Sequence, residues 1–145
     1  MSISSEQRRH VRKQSGNCCE YCRLSQAGRL ARFHVDHIIA IKHGGTDADE
    51  NLCLACPECN AHKGSNVAAL DPITRDATKL YDPRQQKWDN HFEINSDATL
   101  TGRTPEGRVT IDVLCINDEE RVKQRLGEMI VGDYPCKQLV PDNDQ

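Results

Sequence analysis

Residues 19–63 read CEYCRLSQAGRLARFHVDHIIAIKHGGTDADENLCLACPECNAHK, and the order of metal-ligand side chains in this stretch decides the fold. Two Cys-x-x-Cys pairs, Cys19/Cys22 and Cys56/Cys59, bracket an Asp36-His37 dipeptide. A Cys-x-x-Cys knuckle presents two sulfurs on one side of a tight turn, and two knuckles complete a tetrahedral zinc shell. Such a closed four-thiolate site leaves no open position, so its expected role is structural. The 33 residues between Cys22 and Cys56 exceed a simple ribbon and must hold structure of their own. Two alternatives stay open on spacing alone: Cys18 adjoins Cys19, and Cys53-x-x-Cys56 is also a valid pair. Cys115 and Cys136, with Cys18 and Cys53, are expected to remain off the metal.

Outward from this stretch the coarse elements follow. Ser4-Ser5 caps a short helix, Glu6 to Gln14, that Gly16 ends. It carries Arg8, Arg9, Arg12 and Lys13, with Val11 its main apolar residue, and reads as a surface helix. Phe33 to Ile39 reads as a strand, His43-Gly44-Gly45-Thr46 as a turn, and Leu52 to Leu54 as a returning strand. Asn60 to Leu70 reads as a helix ending before Asp71-Pro72. Further on, Gln85 to His91 reads as a short helix with Trp88. Phe92–Ile94 with Thr99–Arg103 suggests a hairpin, and 109–115 fits a strand or a helix. Asn117 with Glu120 resembles a capping box for a last helix, whose Val122, Leu126, Met129 and Ile130 have core spacing. The expected division is a core of 1–72, an extension of 73–140 packed on it, and a disordered tail of 141–145.

The totals agree with a small stapled domain. The chain has 145 residues, eight cysteines and only six aromatic residues, so its apolar core needs a staple. No signal-like segment opens the chain and no apolar run approaches a membrane span, which points to the cytoplasm and away from membranes. Thiols are kept reduced there, so paired cysteines suggest zinc rather than disulfides. The net charge of −3 hides a local excess: residues 1–45 carry eight Lys/Arg against three acids. Such a patch can steer a phosphate backbone, or it is an ordinary solvated basic face.

The dipeptide carries the chemistry. A phosphodiester repels nucleophiles, and its hydrolysis needs an activated water, a cation on the phosphoryl oxygens and help for the leaving oxygen. His37 is the natural base, because neutral imidazole accepts a proton near pH 7. Asp36 is a hard oxygen ligand suited to Mg²⁺ or Mn²⁺, and Asn60 offers a second oxygen, with His62 as its rival. A regular strand would send Asp36 and His37 to opposite faces, so the strand is expected to bend or end there. Lys63, Arg29 and Arg32, with the basic residues of the first helix, are candidate phosphate contacts. His34, on the face of Asp36, is a secondary candidate.

The segments NCCEYC, FHVDHIIA and HGGTDADENLCLACPECNAHKGS together resemble the HNH nuclease family. YDPRQQKWDNHF and TPEGR are similar to one bacterial branch of it. The resemblance implies an α+β fold: a treble-clef-like ββα-metal core stapled by four cysteines, with a C-terminal hairpin and helix extension. It implies a metal-dependent endonuclease hydrolysing DNA, with Asp36 and Asn60 on the divalent ion and His37 as base. It also implies that Asn51 clamps the loop and orients the backbone of His37. Asn60 stands where many members carry a histidine. Expected partners are double-stranded DNA, held mainly by its backbone, with room for a protein partner. The alternative is a non-catalytic zinc module that binds nucleic acid or protein.

Overall fold

The computed structural model describes residues 3–137; the expected tail of 141–145 lies outside them. The first helix, α1 (Ser5–Ser15), begins at a capping box in which the Ser4 hydroxyl accepts from the Gln7 amide and Gln7 reaches back to Ser4. Gly16 ends it in the left-handed region at φ 65°. Val11 and Ser15 form its buried line, and its basic residues face outward.

Strands β1 (His34–His37) and β2 (Leu52–Ala55) pair antiparallel, with Asp36 opposite Cys53 and His37 opposite Leu52. All four β2 residues are buried, as expected of a strand covered on both faces by α1 and by the next helix. That helix, α2 (Pro57–Lys63), starts with proline at its first position, where the missing N–H costs nothing. Order and packing give the expected ββα unit.

Here one expectation needs correction. Asn60–Leu70 is not one helix: α2 begins earlier and stops at Lys63. Gly64 follows at φ 52°, ψ −129°, a conformation that suits glycine. Residues 68–70 instead form β3 (Ala68–Leu70), paired with β4 (Ala77–Lys79). Alternating exposure along both strands marks a surface hairpin.

The remaining described residues fold against this unit. Helix α3 (Trp88–His91) leads into the hairpin β5 (Phe92–Ile94) and β6 (Leu100–Gly102). The ambiguous 109–115 stretch is helical: α4 (Pro105–Val113) is capped by Thr104, whose hydroxyl accepts from the Gly107 amide. The last helix is α5 (Glu119–Ile130). Asn117 does not cap it; its side-chain amide bonds both the N–H and the C=O of Leu100 at 2.9 and 2.8 Å.

The apolar stripe expected on α5 is likewise not its buried face. Arg121 and Arg125 are buried, while Ile130 is exposed and Val122, Leu126 and Met129 lie half-buried. The reason is electrostatic. Arg125 donates to the carbonyls of Ala98 and Ile116 at 3.0 and 2.8 Å, satisfying loop oxygens that an apolar helix face would leave unpaired.

Several bonds tie this extension to the core. Trp88 Nε1 donates to the Tyr21 carbonyl at 2.8 Å, and the Tyr134 hydroxyl to that of Cys22 at 2.7 Å. Arg84 grips Glu20 with both terminal nitrogens, at 2.9 and 2.6 Å, and the Leu52 carbonyl with Nε. Arg108 makes a two-pronged ion pair with the fully buried Asp71. Cys18 and Cys136, expected as thiols, form a disulfide with 5.7 Å between Cα atoms. The Cys136 amide bonds the Arg23 carbonyl, which brings the C-terminal strap to the first knuckle. Among the described residues no helix is long and apolar enough to cross a membrane.

Candidate functional site

The sulfurs of Cys19, Cys22, Cys56 and Cys59 lie within 4.8 Å of one another, and all four residues are buried. Both knuckles point backbone N–H groups at sulfur: Cys22 to Cys19 Sγ at 3.5 Å and Cys59 to Cys56 Sγ at 3.4 Å. The rival pairings are closed. Cys53 points at the Tyr21 hydroxyl, 3.5 Å away, and Cys18 is held in the disulfide.

Protonation fits a metal. Hydrogen bonds from Cys19, Cys56 and Cys59 hold the Cys22 thiol well below its ordinary range, while burial pushes the Cys59 thiol well above it. A central divalent ion would let all four thiols ionise. Four soft ligands in a buried, closed shell make a zinc site.

Next along the β1–β2–α2 unit stands the Asp36-His37 pair. The ladder is continuous through both residues, and β1 ends at His37. The bend expected between the two residues is not seen: the strand runs regularly through both and ends only after His37, which sends the two side chains to opposite faces. The partners of the two side chains differ accordingly. His37 Nε2 lies 2.7 Å from Asp47 Oδ1, with the ring 25% exposed. Asp36 Oδ2 lies 3.2 Å from Lys63 Nζ, with the side chain 17% exposed. That oxygen is shielded from solvent yet has no hydrogen bond, since the ammonium approaches it outside hydrogen-bonding angles.

Lys63 differs from expectation. It is neither a surface lysine nor a free phosphate contact: its side chain is 2% exposed, and Nζ donates to the His37 carbonyl at 2.9 Å. One buried ammonium thus ties α2 to both halves of the dipeptide.

The loop after β1 is clamped by Asn51. Its Oδ1 accepts from the Ile39 amide at 2.8 Å, and Nδ2 donates to the carbonyls of Ile39 and Thr46 at 2.9 and 2.8 Å. The Asn51 side chain grips Ile39, its main-chain carbonyl accepts from the Ile38 amide at 2.8 Å, and the His37 carbonyl of that same peptide accepts from Lys63. A Cβ on Gly45 would stand 1.8 Å from the Ile39 oxygen and 2.9 Å from Asn51 Nδ2, so only glycine lets the loop close. The closure delivers Asp47 to His37. Gln7 of α1 braces the same loop, donating to the Asp47 carbonyl at 2.8 Å.

Asn60 is half-buried on α2, while His34, His43 and His62 are exposed. Among the basic candidates Arg8, Arg9, Lys13 and Arg32 are exposed. Burial and the like charges of Arg32 and Arg8 lower the pKa of the Arg12 guanidinium, so these arginines form one cluster. Arg29 is otherwise engaged, in an ion pair with Glu128.

Sequence reasoning missed Asp47, which meets His37, and Arg121, which donates to Cys59 Sγ at 3.0 Å. Nothing in local spacing marks either; the glycine pair before Asp47 was the nearest signal.

A family model described as HNH endonuclease matches residues 19–66, the span that holds both knuckles, the dipeptide, β1, β2 and α2. No curated protein and no solved structure matches the chain. Residues 19–66 therefore match an HNH endonuclease domain, and the cysteine cluster within that span is suited to a structural zinc ion.

Proposed function

We propose that the protein is a metal-dependent endonuclease that hydrolyses DNA phosphodiester bonds, with His37 as the general base. The observation that carries this reading is the hydrogen bond between His37 Nε2 and Asp47, on a ring that solvent still reaches. With the carboxylate accepting from Nε2, the neutral ring keeps its lone pair on Nδ1, where it can take a proton from water. The Asp47 carboxylate fixes the orientation of the ring. Lys63 holds the His37 carbonyl and the Asn51 clamp holds Ile39, which together fix the backbone that follows the ring.

Asp36 and Asn60 are the residues that would hold a catalytic divalent ion. The fit rests on the Asp36 carboxylate, one oxygen of which is buried without a hydrogen bond. Among the described residues the cysteine quartet is the group of three or more Cys, His, Asp or Glu ligands placed for one ion. A site of one carboxylate and one amide oxygen would leave most coordination positions to water, which is how Mg²⁺ is usually held and suits Mn²⁺ as well. The ion would supply charge stabilisation on the phosphoryl oxygens. The cluster of Arg8, Arg9, Arg12, Lys13 and Arg32 suits a phosphate backbone, and backbone contacts imply low sequence selectivity and binding that weakens with salt.

A second reading, a non-catalytic zinc module, is favoured by one specific observation: Lys63 already neutralises Asp36 from within. Plasmid cleavage separates the two. Wild type with Mg²⁺ or Mn²⁺ is expected to nick or linearise supercoiled DNA, EDTA to stop it, and His37→Ala to lose it. DNA binding without cleavage under any of these metals would hand the site to the second reading.

A further inference from the structure

Zinc held by four thiolates carries two net negative charges, and here they are placed in the core. Buried charge is costly unless something answers it. The two knuckle amides answer part of it. Much of the rest arrives from a helix more than 50 residues downstream. Arg121 on α5 is 8% exposed, and its Nη2 lies 3.0 Å from Cys59 Sγ and 3.7 Å from Cys56 Sγ. Its Nη1 donates to the carbonyls of Leu114 and Cys115 at 2.5 and 3.2 Å, at the C-terminal end of α4, where unpaired carbonyls concentrate negative potential. Every acceptor around this guanidinium is negative or partly negative.

We infer that Arg121 is a working part of the zinc site, donating to the Cys56–Cys59 knuckle, balancing the thiolate charge and making the docking of α5 depend on the metal. The coupling runs both ways. Zinc keeps the four cysteines as thiolates, whose charge answers the buried arginine, and the docked arginine slows the departure of zinc. Hydrogen bonds to metal-bound sulfur belong to the outer shell, whose loss commonly costs about 10- to 100-fold in metal affinity. Cys59 immediately precedes Asn60, so the same contact braces the start of α2 from the far side of the molecule.

Arg125 provides the control. It lies one turn along the same buried face and is more deeply buried, but its bonds go to Ala98, Ile116 and Asn117 and none to sulfur. The test measures zinc release to a chromogenic chelator from the full chain, and the thiolate-to-metal charge-transfer band of the cobalt-substituted protein. Arg121→Met is expected to release zinc about 10- to 100-fold faster and to shift the cobalt band. Arg125→Met is expected to lose thermal stability while keeping wild-type release and spectrum. Arg121→Lys, which keeps the charge but loses the planar fork, should fold even where the methionine variant does not. Its band is expected to shift, and its release rate to fall between those of wild type and Arg121→Met. Wild-type spectrum and release in both Arg121 variants would overturn the proposal. So would equal acceleration and equal spectral shift in Arg121→Met and Arg125→Met, which would make Arg121 an anchor of α5 and nothing more.

Discussion

The cysteine quartet and the Asp36-His37 pair share the β1–β2–α2 unit, yet they occupy opposite kinds of environment. The quartet is buried on every side and hydrogen-bonded by two knuckle amides and one arginine. The pair stands where β1 ends, partly open to solvent, with one carboxylate oxygen lacking a hydrogen bond. A closed shell of soft ligands suits an ion that never exchanges its partners. An open site of hard oxygen and imidazole suits one that must admit substrate and water. The same hairpin and helix serve both, because β2 and α2 bury one end of the unit while the glycine loop leaves the other accessible.

The largest effect that could break this contrast is loss of the closed site. Cys59→Ser is expected to abolish zinc binding, measured by metal content, and to remove the cooperative thermal transition. Apparent binding free energies of structural zinc in zinc fingers run to about 10–16 kcal/mol, comparable with the stability of a whole domain. A folded, zinc-free Cys59→Ser protein would show that packing alone carries the core. Next comes the open site. His37→Ala is expected to slow plasmid cleavage by about 10²- to 10⁴-fold while leaving Tm and zinc content near wild type. Asp47→Asn should cost less, about 10- to 100-fold, the range of one hydrogen bond to a charged group. Equal rates for Asp47→Asn and wild type would remove Asp47 from the reaction.

Smaller effects sharpen the picture. Gly45→Ala forces a Cβ onto the Ile39 carbonyl and should destabilise the loop by about 1–3 kcal/mol, read as a lower Tm together with slower cleavage. The smallest is the acid response of the Asp71–Arg108 pair. Arg108 holds the Asp71 carboxyl well below its usual range, so between the folded value and the ordinary value of about 4 the unfolded chain binds the extra proton. The pair's contribution is therefore complete above about pH 4 and is lost as pH falls towards the folded value. Denaturation curves from pH 5 to pH 2 should be less steep in pH for Asp71→Asn than for wild type.

What could be read without coordinates followed from local rules. The knuckles, the two strands of the core hairpin, the α1 cap and stop, and the β5–β6 hairpin each depend on residues close together in sequence. The break after Lys63 was also written there, in Gly64, but the polar run Asn60–Asn66 gave no pattern strong enough to stop the helix. The α5 stripe misled for a different reason. Val122, Leu126 and Met129 have helical core spacing, yet the helix lies over carbonyls and sulfur, and only arginine can satisfy those acceptors from within.

The residue types and their spacing thus determined, by themselves, two cysteine knuckles able to hold zinc, a strand pair around Asp36-His37, and a glycine turn between them. Only the tertiary structure decided which carboxylate meets His37, that Lys63 is buried between Asp36 and the His37 carbonyl, and that Cys18 reaches Cys136. It also decided that a distant arginine answers the zinc ligands. Ligand geometry and turn chemistry act over a few residues and leave a mark in the order of the chain. The balance of buried charge is settled between segments that meet only once the chain has folded.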